Sequence, residues 1–130
     1  MWRKCKGFTL IELLVVMIIV VTLASVGLAL YSTSVRRSKE AVLREDLQLM
    51  RKAIDEYYAD KQKYPPDLQT LVSEKYLRNI GPDPFTNSTD TWQTTASERD
   101  AANPSADVGI SDVKSGADGT SLDGTPYAEW

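Results

Sequence analysis

The chain has 130 residues, which fits one domain and leaves little room for a second. It has no histidine and one cysteine, Cys5, so an intramolecular disulfide, a thiolate zinc centre and the commonest general base are all missing. The net charge of −3 is unevenly placed: Arg3, Lys4 and Lys6 lead the chain, while residues 79–130 set nine acids against Arg99 and Lys114. Such an acidic tail repels nucleic acid and offers oxygens to a hard cation such as calcium. Composition therefore argues against a nucleic-acid binder and against a His- or Cys-dependent enzyme.

Leu13 to Val35 is a run of 23 residues without a charge. It is apolar all round rather than along one stripe, and about 20 such residues cross a bilayer as a helix. A cleaved secretory signal is the alternative, but its apolar region is usually about 7–15 residues. This run is longer and passes without a break into further periodic chain, which favours a spanning helix.

After Val35 the pattern becomes amphipathic. Leu43, Leu47, Met50, Ile54 and Tyr57 or Tyr58 recur at steps of three and four, the spacing of one helical face. Charged residues fill most of the remainder, with Glu40 to Arg44 as a supporting i,i+4 pair. No proline intervenes, so the spacing predicts one helix from about Phe8 to Lys63, on the order of 80 Å long. Pro65-Pro66 ends it, because both lack an N–H and the first forces Tyr64 out of helical geometry.

Beyond the prolines, Asp67 to Leu77 reads as a short helix capped by Asp67, with Leu68, Leu71 and Val72 inward. Gly81-Pro82-Asp83-Pro84 is a turn cluster. Thr91 to Thr95 and Val108 to Val113 alternate weakly like short strands, joined by a polar loop from Ala96 to Asp107. Trp92, Tyr127 and Trp130 are expected to pack this sheet on the Leu47–Tyr58 face, since aromatics bury much area where a core is thin. The fold class expected is α+β: a long N-terminal helix with a small antiparallel sheet on its C-terminal half.

Gly7-Phe8-Thr9-Leu10-Ile11-Glu12 stands after a basic leader and directly before the span. In that setting it resembles the processing site of the type IV pilin-like superfamily. The resemblance implies that a prepilin peptidase cuts between Gly7 and Phe8 and methylates the new Phe8 amine. Residues 1–7 are then a removed leader, and Cys5 goes with it. Residues 8–35 are the transmembrane and assembly helix, and residues 36–130 form a globular domain in the periplasm, anchored by a single pass in the bacterial inner membrane. The basic residues flanking the span nearly tie, so this orientation rests on the resemblance and not on charge.

Glu12 is not explained by anchoring alone, because an acid at mid-span costs roughly 2.5–3.5 kcal/mol. Its place near the helix end permits snorkelling into the headgroups. The resemblance implies instead that Glu12 pairs with the Phe8 amine of a neighbouring subunit, which removes much of that penalty and sets the register of a filament. Packing on equivalent helices would likewise keep the apolar face of Leu13 to Leu30 dry once it leaves lipid. Many relatives carry a proline part-way along the span. Here Gly27 and Ala29 occupy that region.

Tyr64-Pro65, Leu68 and Leu71, Asp83-Pro84-Phe85-Thr86, Ser115-Gly116-Ala117-Asp118-Gly119 and the final Trp130 look like the major pseudopilin of type II secretion systems. That resemblance implies a pseudopilus subunit that polymerises with itself to drive protein export. Its partners would be minor pseudopilins, the prepilin peptidase and an inner-membrane secretion platform. The alternative is a type IV pilin for adhesion, motility or DNA uptake. The resemblance also implies calcium in the last loop, with Asp118 and Asp123 as carboxylate ligands, the Ser115 carbonyl as a backbone ligand and Asp112 as a weaker candidate. The spacing does not match an EF-hand. A membrane-anchored binding module is a rival of another class and would tolerate Glu12→Ala. No nucleophile and base stand in a recognisable catalytic pattern, so no enzyme activity is expected.

Overall fold

The computed structural model describes residues 6–99, 104 and 107–130. Arg3, Lys4 and Cys5, and most of the polar loop expected between Ala96 and Asp107, lie outside the described residues. Among the described residues, three helical elements and two strands follow in order: α1 (Leu10–Lys61), α2 (Leu68–Ser73), β1 (Gln93–Ala96), β2 (Ile110–Lys114) and a short 3-10 helix (Tyr127–Glu129). The chain divides into two compact units, the first ending at Arg36 and the second running from Arg37 to Trp130. The α+β class expected from the pattern is the one observed.

In the first unit, α1 begins two residues later than the periodicity suggests, and the reason is a cap. The Thr9 hydroxyl accepts the Glu12 N–H at 3.2 Å and the Thr9 carbonyl accepts the Leu13 N–H at 3.1 Å. Thr9-x-x-Glu12 is the sequence form of a capping box, with the carboxylate also favoured by the positive end of the helix dipole. Gly27 is helical and open on all sides, so the helix continues through the region where relatives place a proline.

In the second unit, α1 buries one face made of Glu40, Leu43, Leu47, Met50, Ala53, Ile54 and Tyr57. The stripe is the one read from spacing, with Glu40 and Ala53 added. Of the two candidate tyrosines Tyr57 points inward and Tyr58 is largely outside. The helix stops at Lys61 because Gln62 takes a left-handed conformation, φ 56°, while its N–H still bonds the Tyr58 carbonyl at 2.8 Å. The prolines then prevent any restart.

Asp67 caps α2 as expected, its carboxylate accepting the Thr70 N–H at 2.7 Å and the Thr70 hydroxyl at 2.8 Å. Those bonds hold the Asp67 carboxyl below its usual pKa, the Thr70 hydroxyl being the larger cause. Strands β1 and β2 pair antiparallel, with Gln93 opposite Lys114 and Ala96 opposite Ile110. Between Thr95 and Ala96 the register shifts, because Ser111 is an extra residue on β2. The bulge turns Ile110 onto the same buried side as Val113, which a strict alternation would forbid. Two strands alone are marginal in water, so the sheet depends on the core it shares with the α1 face, Leu71, Trp92 and Tyr127.

Candidate functional site

Two places carry the residues singled out by the sequence. The first is the start of the chain. Lys6 to Thr9 is non-helical and exposed, and a side chain added at Gly7 would meet nothing within 4 Å. The Gly7–Phe8 bond therefore lies in accessible, non-helical chain, the kind of segment a peptidase can engage. Phe8 is 86% exposed, and Glu12 stands exposed in the first turn of α1.

From Leu10 to Val35 every side chain is exposed within this chain, and α1 holds a window long and apolar enough to cross a membrane. Four of the hydroxyls there are satisfied locally. Thr22 donates to the Ile19 carbonyl, Ser25 to the Val21 carbonyl, and Ser32 and Thr33 both to the Ala29 carbonyl, at 2.8–3.2 Å. Such back-bonding lets hydroxyls enter a medium that offers no water. Glu12 is different: among the described residues no cation lies within ion-pair distance of its carboxylate.

The second place is the last loop, Ser115 to Trp130. Ser115 is fully buried, and its hydroxyl donates to Asp83 Oδ2 at 2.5 Å while accepting the Ala117 N–H at 3.1 Å. Asp118 is exposed. Asp123 pairs with Arg44 at 3.3 Å, and Asp112 pairs with Arg51 at 2.7 Å. The carbonyls of Gly119, Ser121 and Thr125 each accept a backbone N–H, from Tyr127, Gly124 and Ser121 respectively.

Calcium takes about six to eight oxygens. The loop turns the Gly119, Ser121 and Thr125 carbonyls to its own N–H groups, and the Asp123 carboxylate to a guanidinium. Among the described residues no group of three or more acidic, His or Cys side chains could hold an ion. Of the expected calcium set, Asp118 is exposed, Asp123 pairs with Arg44 and the Ser115 hydroxyl bonds Asp83.

Sequence reasoning missed two side chains that organise this loop, Glu40 and Arg44. Glu40 is 6% exposed, and its Oε1 accepts both the Leu122 N–H at 2.9 Å and the Tyr127 hydroxyl at 2.8 Å. Arg44 reaches Asp123 and also lies over the Trp130 ring, 4.4 Å from its centroid. Both had been read only as an i,i+4 pair on a charged face. A signal existed: Glu40 stands one helical step before Leu43, in line with the apolar stripe.

Comparison with known proteins bears on the first place. The family described as the prokaryotic N-terminal methylation motif matches residues 2–28. The fimbrial protein EcpC of Eikenella corrodens is 35% identical over 80 residues, which cover 58% of this chain and 52% of that protein. The chain thus spans about half the length of the curated relative it matches. No solved structure matches. The matched motif and the apolar first half of α1 thus fall on one stretch of chain.

Proposed function

We propose that this chain is a filament subunit that is processed at Gly7–Phe8, held in the inner membrane by the first half of α1, and polymerised through that same half. The observation that carries the reading is the pairing of an exposed, largely apolar first half of α1 with an acid at its start that, among the described residues, has no cation beside it. Lipid can cover the apolar side chains, but its acyl chains supply no charge to Glu12. A neighbour's Phe8 amine, freed by cleavage, supplies it four residues from the acid.

Two assemblies fit such a subunit. The last loop, the Asp83-Pro84 turn and the terminal Trp130 support a pseudopilus that drives export, with minor pseudopilins and an inner-membrane platform as partners. The fimbrial name of the relative supports a pilus on the cell surface. The subunit performs no chemistry in either assembly. Deleting the gene and assaying both exported proteins and sheared surface filaments separates them. Loss of export with no change in surface filaments supports the pseudopilus, and the converse supports the pilus. Loss of neither contradicts both.

A further inference from the structure

We propose that the C-terminal loop of this protein is closed by side chains of α1, Glu40 and Arg44, and that its closure needs no metal ion. The proposal is independent of whether the subunit forms a pilus, a pseudopilus or no filament.

Thr120 and Pro126 form an isolated antiparallel bridge, and within it Ser121 and Thr125 bond both by backbone and by their hydroxyls, the latter at 2.9 Å. The Ser121 hydroxyl also accepts the Asp123 and Thr125 N–H groups, at 3.2 and 3.3 Å. The tip is therefore a hydrogen-bonded turn, with Gly124 supplying the positive φ of 87° that it requires. An ion cage of the same length would need its oxygens turned to one centre.

The Leu122 N–H and the Tyr127 hydroxyl converge on one carboxylate oxygen of Glu40. A carboxylate is acceptor-only, so the loop's inward face is organised around an anion carried by the protein. A calcium site at this spot would invert that polarity, with the loop presenting oxygens to a cation. Charge-assisted bonds to a buried carboxylate are among the stronger ones available to a small core. Arg44, one turn on, adds the outer contact to Asp123 and lies over Trp130, whose indole N–H reaches the Thr125 hydroxyl at 3.0 Å. The Arg44–Asp123 pair is well exposed and adds little by itself. Its role is to fix the edge of a loop that Glu40 already holds.

The test uses the full-length chain in detergent micelles, with thermal melting read by tryptophan fluorescence and terbium as the probe for a calcium site. The wild-type midpoint is expected to be the same within about 1 °C in excess chelator and in millimolar calcium, because an ion that binds the folded state alone raises it. Terbium is expected to give no saturable tryptophan-sensitised emission. Glu40→Ala is expected to lower the midpoint by about 5 °C or more in both conditions. Arg44→Ala and Asp123→Ala are expected to give equal small losses that do not add in the double variant. A midpoint that rises with calcium, saturable terbium emission displaced by calcium, or an Asp123→Ala loss seen only with calcium would each overturn the proposal. If Glu40→Ala does not fold, the wild-type chelator and terbium measurements decide alone.

Discussion

Ser115 and Asp83, 32 residues apart in the chain, meet at 2.5 Å with both side chains withdrawn from solvent. The second Asp83 oxygen accepts the Phe85 N–H at 2.9 Å, so one carboxylate ties the Gly81–Pro84 turn to the start of the last loop. Replacing Asp83 by Ala strands both donors, and the expected loss is about 3 kcal/mol, since a buried group without its partner keeps its full desolvation cost. Urea unfolding followed by tryptophan fluorescence measures it. Asp83→Asn keeps an acceptor and is expected to lose less. Equal stability of Asp83→Ala and wild type would mean that this bond is not part of the folded protein's support.

Leu47 lies at the centre of the buried α1 face, 2% exposed. Leu47→Ala is expected to cost roughly 2–5 kcal/mol, the usual range when a buried leucine leaves a cavity. Leu23→Ala, in the first half of the same helix, is expected to leave unfolding of the globular unit unchanged, because Leu23 is 69% exposed and lies in the other unit. Parallel denaturation of the two variants checks the contrast.

Gly109 sits where an added Cβ would lie 2.6 Å from both the Tyr64 Cβ and the Tyr64 carbonyl, and 2.7 Å from the Pro65 carbonyl. The following Ile110 N–H bonds the Pro65 carbonyl at 2.8 Å, so the close approach is what docks β2 to the end of α1. Gly109→Ala is expected to destabilise by roughly 1–3 kcal/mol through that clash, as overpacking does elsewhere. Far-ultraviolet circular dichroism during thermal melting reads the loss.

The Tyr76 hydroxyl donates to Asp60 at 2.8 Å, and that bond, with the negative charge beside it, pushes its pKa from the ordinary 10.0 up to about 12. A raised pKa means that the neutral form is favoured in the folded state. The contribution is complete below pH 10.0 and is lost as pH rises through about 12. An ultraviolet absorbance titration of wild type against Tyr76→Phe is expected to show one tyrosine ionising late. Asp60→Asn should bring that step back towards the others.

The parts of this fold that repeat were legible in the sequence, and the parts that depend on single contacts were not. The spanning run and the Leu43–Tyr57 stripe are periodic, so spacing alone placed α1 to within two residues at each end. Asp67 was recognisable as a cap because its bond to Thr70 is local. The strands were found with their bounds shifted by one or two residues, since the Ser111 bulge breaks the alternation on which such readings depend. Glu40 was taken for one more surface charge because its partners, Leu122 and Tyr127, are more than eighty residues away in the chain.

The central claim is that the first half of α1 joins one subunit to the next and that Glu12 sets the joint. Its most direct measurement is crosslinking in native membranes with single cysteines at Leu13 or Val20, in wild-type and Glu12→Ala backgrounds, after leader cleavage has been confirmed. The account predicts a ladder of crosslinked subunits that disappears with Glu12→Ala while processing and membrane insertion stay intact. A processed, inserted protein that gives no ladder in either background, or an undiminished ladder in Glu12→Ala, would contradict it.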